Sequence, residues 1–201
     1  MTILEIIAAV FGLLCVWFCI IRNSWTWPTG LVQVLLLIAV FYHAKLYADM
    51  ALHVIYVGLQ IFGWVAWQKS KRISQPSNAG SEFVAVRSLT LRGNIACVLV
   101  TVFLTIAFSS ILTRWTDAEL PIADSFVAAA SLVAQYLLAT RYFENWIYWI
   151  VIDTVGVGLF AYKELYPTAI LYAFFWGMAI VGFVAWKRAA ENEKLRLARS
   201  I

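Results

Sequence analysis

Polar and aromatic side chains recur at helical spacing inside stretches of sequence that are otherwise apolar. Asn145, Trp149 and Asp153 follow one another at intervals of four residues. Residues three or four apart lie on one face of an α-helix, so this spacing predicts a face that presents an amide, an aromatic ring and a carboxylate. A second stripe with helical spacing consists of Asp49, His53, Tyr56, Gln60, Trp64 and Trp67.

Asp153 is the acidic residue that lies in the middle of an apolar stretch. A carboxylate in hydrocarbon costs several kcal/mol unless it is paired, protonated or hydrated. No basic residue stands at a matching depth in another apolar stretch. A positively charged ligand would supply the missing partner. The alternative is a structural hydrogen bond between Asp153 and a neighbouring helix.

These residue types together suit a flat aromatic cation. Aromatic faces attract such a ring by stacking and by cation–π attraction, worth about 0.5–2 kcal/mol each, and amides bind its polar substituents. The residues that provide this chemistry are Gln60, Trp64, Gln135, Asn145, Trp149 and Asp153. Tyr56 and Tyr172 fit equally well as ligand contacts or as core aromatics. Trp25, Trp27 and Trp186, at the ends of apolar stretches, are interpreted as interfacial anchors.

The elements that position these residues follow from composition. The chain has 201 residues, of which 63% are hydrophobic and 13% charged, and its mean hydropathy is +0.82. Soluble domains are about 45–50% apolar and about 25% charged, so lipid must cover much of this chain. Stretches of about 20 apolar residues span a bilayer, and the sequence predicts an all-α membrane protein with seven transmembrane helices. The predicted spans are 3–21, 28–44, 48–68, 93–112, 121–140, 145–162 and 167–187.

The charges predict the orientation of these spans. With seven spans, twelve basic residues fall on one side of the membrane and three, Lys45, Arg114 and Lys163, on the other. Basic residues favour the cytoplasmic side, so we expect the N-terminus outside and the C-terminus in the cytoplasm of a bacterial inner membrane. The net charge of +4 therefore does not indicate a nucleic-acid partner. Three cysteines (Cys15, Cys19 and Cys97) lack the spacing of a disulfide framework or a metal site, and no cofactor is expected.

The chain resembles itself at an offset of 119 residues. Trp27 then aligns with Trp146, Gly63 with Gly182, and the run 65–67 with the run 184–186. Two three-helix repeats separated by one helix have parallel orientation, which is a known plan of transporters with a site between the repeats. This 3+1+3 arrangement divides the chain into a first repeat (1–68), a linker and connecting helix (69–120), a second repeat (121–187) and a charged tail (188–201).

Several motifs resemble the PnuC-type vitamin transporter family. They are NSWTWPTG, KLYADM and QIFGWVAW in the first half, and RYFENWIYW and LYxTAxLY in the second. The resemblance covers about residues 20–70 and 120–187. It implies the 3+1+3 fold, a homo-oligomer (a trimer), and substrate bound at the centre of the bundle. The binding motifs of the family fall here on Gln60, Trp64, Trp67, Asn145, Trp146, Trp149 and Asp153.

Family members carry nicotinamide riboside, thiamine, riboflavin or nucleosides. The resemblance therefore implies facilitated diffusion of a vitamin, with trapping by phosphorylation in the cytoplasm. Nicotinamide riboside is the expected substrate, and thiamine, which is also a cation, is the alternative. Riboflavin is neutral and would gain less from the carboxylate of Asp153. Nicotinamide riboside carriers of the family have an amide at this position, which leaves the choice between the two cations open.

Other classes of protein fit the sequence less well. No protease, hydrolase or P-loop motif is present, so neither an enzyme nor an ATP-driven pump is expected. A sugar carrier would share the repeat plan, yet the excess of tryptophan beside one acid favours an aromatic cation. A membrane scaffold or sensor is the remaining alternative.

Overall fold

The described part of the chain forms seven α-helices. The computed structural model describes residues 3–45, 47–73, 85–116 and 119–199. All seven helices are long and apolar enough to cross a membrane, which confirms the predicted fold class. They are α1 (Ile3–Ile20), α2 (Thr26–His43), α3 (Tyr47–Ile73), α4 (Leu91–Trp115), α5 (Pro121–Ala139), α6 (Asn145–Tyr162) and α7 (Tyr166–Arg199).

The helix ends agree with the predicted spans to within a few residues, except where a helix continues beyond the apolar stretch. α3 extends to Ile73 and α7 to Arg199, because charged residues can continue a helix once it has left the hydrocarbon. The centre of the predicted polar linker, with Pro76, Asn78 and Gly80, lies outside the described residues.

Six of the helices form a closed ring. Within the described ranges, neighbours pack in the order α1, α2, α3, α5, α6, α7 and back to α1, whereas the backbone of α4 approaches that of α5 alone. Exchanging α1, α2 and α3 for α5, α6 and α7 leaves this order unchanged. The ring therefore has the contacts expected of two equivalent three-helix groups.

The turns between helices repeat in the same way. Arg22 and Arg141 have φ values of 57° and 69° after α1 and α5, and Lys45 and Glu164 have 59° and 58° after α2 and α6. Residues other than glycine seldom adopt positive φ, so two such pairs at the 119-residue offset are specific. They support the predicted 3+1+3 arrangement of parallel repeats, which remains a prediction.

The core is concentrated at one end of the ring, where α1 and α5 end and α2 and α6 begin. The largest buried side chains there are four indoles, which we call the tryptophan layer: Trp27, Trp67, Trp146 and Trp186. In α2 no residue after Val34 is buried, and in α3 no described residue before Gln60 is buried. The opposite end of α2 and α3 is thus packed more loosely.

Candidate functional site

The tryptophan layer closes one end of the ring through two matched hydrogen bonds. Trp67 Nε1 donates to the carbonyl oxygen of Leu138 at 3.2 Å, and Trp186 Nε1 donates to that of Cys19 at 3.0 Å. Trp67 and Trp186 are 119 residues apart, as are Cys19 and Leu138. Each bond therefore joins one three-helix group to the last turn of the first helix in the other group.

Ring contacts continue across the layer. The ring centroids of Trp27 and Trp67 are 5.4 Å apart, those of Trp67 and Trp186 6.0 Å, and those of Trp146 and Trp186 5.8 Å. All four side chains are at most 2% exposed. The interpretation of Trp27 and Trp186 as interfacial anchors was therefore wrong, because both lie inside the bundle rather than at its lipid surface. Trp25, at 62% exposure, keeps that interpretation.

Two glycines make room for Trp27 and Trp146, the indoles at the two ends of this series of ring contacts. A Cβ at Gly63 would collide with the ring of Trp27, and a Cβ at Gly182 would lie 2.5 Å from ring atoms of Trp146. Trp67 and Trp146, predicted as substrate contacts, thus belong to a packed layer that joins the two halves. Their contact with substrate remains a prediction.

Asn145 lies at the same level. Its side-chain amide donates to the carbonyl oxygen of Tyr142 at 2.6 Å, and the residue is fully buried. The bond holds the first turn of α6 to the turn before it. The side-chain oxygen Oδ1 is buried with no hydrogen-bond partner among the described residues, so Asn145 has an acceptor available as well as a structural role.

A second layer, of polar side chains, lies deeper in the ring. Gln60 and Asp153 each stand seven residues along their helices from an indole of the tryptophan layer, Trp67 and Trp146. Seven residues of α-helix rise roughly 10 Å, so the two side chains share one depth near the middle of their spans. They are 6% and 4% exposed. Gln135 of α5 is buried as well.

Glycines also determine where the interior glutamines lie. A Cβ at Gly30 would collide with the side-chain amide of Gln60, and a Cβ at Gly12 would lie 2.6 Å from Nε2 of Gln33. Each glutamine is thus packed against bare backbone. Gln60 Oε1 is buried and has no hydrogen-bond partner among the described residues, which leaves an acceptor available inside the ring.

Asp153 has aromatic neighbours. Trp149 lies one turn before it on α6, and the ring of Tyr172 from α7 packs on Gly156, three residues after it. Tyr172 also lies within electrostatic range of Asp153. The Tyr172 ring also contacts the ring of Phe160, and the two ring centroids are 4.9 Å apart. The acid is therefore set beside aromatic faces on two helices.

Tyr56 extends the polar surface toward the loosely packed end. It lies near the Ser131 hydroxyl of α5 and within electrostatic range of Tyr172, and its ring is 5.4 Å from that of His53. Tyr56 and Tyr172 are only half-buried. The structure thus brings Tyr56, Gln60, Gln135, Asp153 and Tyr172 to the interior.

Trp64 is more exposed than these residues, and its contact with substrate remains a prediction. It is 37% exposed and lines an open surface depression of about 430 Å³ together with Val65, Gln68 and Lys69 of the same helix. The predicted stripe on α3 therefore divides: Gln60 and Trp67 face inward, whereas Trp64 faces outward in this chain.

The sequence prediction did not include Glu144, which fastens the segment before α4. Its Oε1 accepts hydrogen bonds from the Ser88 hydroxyl at 3.0 Å and from the Leu89 backbone amide at 2.8 Å. Beside it, the Arg87 amide donates to the carbonyl oxygen of Arg141 at 2.8 Å. Burial and the nearby charge of Arg87 lower the pKa of Arg141. The signal available in the sequence was a glutamate directly before the predicted span 145–162.

A closed ring of membrane-spanning helices with buried polar side chains at mid-depth is the architecture of a membrane transporter. A sequence model of the nicotinamide mononucleotide transporter family matches residues 2–188. The chain therefore belongs to this family.

Individual relatives agree with this assignment. The chain is 30% identical over 196 residues to the nicotinamide riboside transporter PnuC of Neisseria mucosa, covering 92% of this chain and 72% of the relative. It is 28% identical to that of Escherichia coli, covering 96% and 88%. The riboflavin/roseoflavin transporter RibM of Streptomyces davaonensis is 22% identical over 183 residues, covering 90% and 83%. The relatives named here are all transporters.

A solved structure has the same fold. The crystal structure of the vitamin B3 transporter PnuC matches with a TM-score of 0.77 at 28% identity, covering 94% of this chain and 82% of that one. The protein is thus a multi-pass membrane transporter.

Proposed function

We propose that this protein carries nicotinamide riboside across the bacterial inner membrane through the centre of the helix ring. The observation that carries the proposal is the buried polar layer, in which Gln60 and Asp153 lie at one depth in different three-helix groups. Among the described residues, neither Gln60 Oε1 nor the Asp153 carboxylate has a hydrogen-bond or ion-pair partner. Two relatives named as nicotinamide riboside transporters, each matching over nine-tenths of this chain, support the choice of substrate.

The chemistry of the polar layer fits this substrate. Nicotinamide riboside joins a flat cationic ring with a carboxamide to a sugar. Amide side chains such as Gln60 and Gln135 can bind the carboxamide and the hydroxyls, while Trp149 and Tyr172 offer aromatic faces. Buried polar groups without partners are costly, so a ligand that satisfies them gains affinity.

Transport proceeds by facilitated diffusion in this proposal. The sequence has no P-loop, which gives no support to ATP-driven pumping by this chain. The family resemblance implies that the substrate equilibrates and is retained in the cell by cytoplasmic phosphorylation. The charge bias between loops supports an outside N-terminus, which places the tryptophan layer toward the cytoplasm. Assembly into a homo-oligomer, a trimer by family resemblance, is part of the same proposal.

Thiamine is the second candidate, because it is also an aromatic cation and would pair with Asp153. Riboflavin is neutral, and the relative named for it is 22% identical. The riboflavin alternative therefore has weaker support.

A ligand panel tests the substrate. Purified protein in detergent is titrated with nicotinamide riboside, thiamine, riboflavin, a nucleoside and a sugar, and nicotinamide riboside is expected to bind tightest. If thiamine binds more tightly, thiamine and not nicotinamide riboside is the substrate. In liposomes, uptake should stop at equal concentrations and rise when a kinase and ATP are enclosed. Uphill accumulation driven by an imposed ion gradient alone would overturn facilitated diffusion.

A further inference from the structure

Residues 85–90, which we call the strap, lead into α4 and are bound to the turn between α5 and α6. The Arg87 amide donates to the carbonyl oxygen of Arg141 at 2.8 Å, and the Phe143 amide donates to that of Arg87 at 3.0 Å. Val86 beside them is 6% exposed and belongs to the same buried cluster as the tryptophan layer. The strap is therefore a packed part of the bundle.

Glu144 is the side chain that holds the rest of the strap. It is 5% exposed, and its Oε1 accepts hydrogen bonds from the Ser88 hydroxyl and the Leu89 amide. Hydrogen bonds to a carboxylate are stronger than those between neutral groups. Between described residues, the four hydrogen bonds that join the strap to the helix ring all end on residues 141–144. These bonds thus attach the strap to the second three-helix group.

The helix that follows the strap is attached to the same group. The backbone of α4 approaches that of α5, and Thr101 is the buried residue of α4. Tyr148 of α6 lies near the Thr101 hydroxyl and within electrostatic range of Cys97 on α4. α4 therefore has contacts with α5 and α6 along its length, and the strap adds an attachment at its start.

Other hydrogen bonds at this end of the ring cross from one three-helix group to the other. They join Trp67 to Leu138, Trp186 to Cys19, and the Arg141 side chain to the Ser70 hydroxyl. Transporters built from two repeats alternate their access by moving one repeat against the other. Such a movement strains the bonds that cross the boundary, whereas the bonds of the strap lie on one side of it and can persist.

We propose that α4 and the strap move with α5, α6 and α7 as one four-helix unit against α1, α2 and α3, and that Glu144 is a positioning residue that keeps this unit together. The boundary between the moving parts then falls between α3 and α4. Without Glu144 the turn 141–144 bends by itself, and part of the movement of the unit is lost in that turn. This inference rests on the proposed transport through the ring, and not on which vitamin is carried.

A disulfide tests whether the strap stays on the turn during transport. Arg87 and Tyr142 are partners in a parallel β-bridge. Neighbouring strands lie about 4.8 Å apart, which is within the Cα separations of about 4.4–6.8 Å that a disulfide spans. The variant Arg87→Cys/Tyr142→Cys is made in a chain whose native cysteines, Cys15, Cys19 and Cys97, are replaced by alanine. The protein is oxidised, reconstituted in liposomes and assayed for uptake of nicotinamide riboside.

We expect the oxidised variant to transport at the rate of the same variant after reduction, because the disulfide joins two parts of one unit. If oxidation stops uptake and reduction restores it, the strap must leave the turn in each cycle, and the inference is overturned. This experiment changes nothing at Glu144, so it decides the inference even where a Glu144 variant does not fold.

Glu144→Ala tests the positioning role. The maximal uptake rate should fall roughly tenfold, as for loss of one hydrogen bond to a charged group, while the dissociation constant measured by isothermal titration stays unchanged. Combining Glu144→Ala with the oxidised disulfide should restore most of the rate, because the disulfide replaces the lost attachment. The control Glu191→Ala removes an exposed acid from the same end of the bundle and should change neither value. An unchanged rate in Glu144→Ala, or a loss that the disulfide does not restore, would contradict this role.

The result is separate from the choice of substrate. If titration selects thiamine instead of nicotinamide riboside, the same liposomes are assayed with thiamine. The proposed substrate then fails, and the comparison of oxidised with reduced protein still decides whether α4 and the strap move with the second group.

Discussion

The fit between glycine and tryptophan in the tryptophan layer makes a quantitative prediction about stability. In Gly182→Ala the new Cβ would lie 2.5 Å from ring atoms of Trp146. The indole cannot bend away, and it is already in edge contact with Trp186 at 5.8 Å. A matched control lies on the same helix: a Cβ at Gly177 would meet nothing within 4 Å.

The expected magnitude follows from two opposing effects. Overpacking of a close-packed interior costs about 1–3 kcal/mol, and this contact with a rigid ring belongs to the upper part, about 2–3 kcal/mol. Replacing a helical glycine by alanine returns up to about 1 kcal/mol. We therefore expect Gly182→Ala to lose about 1–2 kcal/mol net, which for a chain of this size lowers the melting temperature by about 2–8 °C. Gly177→Ala should keep or slightly raise it.

Thermal unfolding in one detergent, followed by intrinsic tryptophan fluorescence, measures the difference. The repeat provides a second matched pair, Gly63→Ala against Gly58→Ala, since a Cβ at Gly63 would collide with Trp27 and one at Gly58 would meet nothing within 4 Å. Gly63→Ala is expected to melt at a lower temperature than Gly58→Ala. If Gly182→Ala melts at the temperature of Gly177→Ala, the indole is not packed as described and the reasoning fails.

Three further predictions concern binding, the linker and orientation. Gly156→Ala should displace the Tyr172 ring and weaken substrate binding roughly tenfold, the loss of about 1.4 kcal/mol, by titration; unchanged affinity would place Tyr172 outside the site. Glu144→Gln should loosen the segment whose Leu89 amide it binds and increase its hydrogen exchange, and equal exchange would contradict this. A fluorescent reporter that folds only in the cytoplasm, fused after Ile201, should be bright; a dark fusion with an active periplasmic reporter would reverse the topology.

The seven helices were predictable because the bilayer demands a stretch of apolar residues for each span, and that signal is local. The location of the tryptophans was not predictable from the sequence. An indole at the end of a span is equally compatible with the lipid interface and with the end of the bundle, and only the contacts of Trp27 with Gly63 and Trp67 distinguish the two. Those contacts come from residues about 40 positions further along, which periodicity within one helix does not report.

The exposed position of Trp64 has a geometric cause. At 3.6 residues per turn, Trp64 is rotated by about 40° from Gln60 and about 60° from Trp67. A helix in a ring buries only a narrow arc, so this rotation is enough to turn Trp64 outward while the other two stay buried. Spacing of three or four residues identifies a broad face, whereas the width of the buried arc depends on the neighbouring helices.

Comparison of the two predicted repeats separates scaffold from site on physical grounds. Side chains that build the tryptophan layer are identical at the 119-residue offset, as are Gly63 and Gly182. The interior polar side chains have different counterparts: Gln60 aligns with Ala179, Gln135 with Val16, and Asp153 with Val34. Packing between two equivalent halves favours equal residues, because the indole hydrogen bond across the boundary is made twice. A vitamin with a charged ring at one end and a sugar at the other has no such symmetry, so the groups that bind it must differ between the halves. The positions where the repeats disagree in polarity are therefore the ones that should determine which ligand is carried.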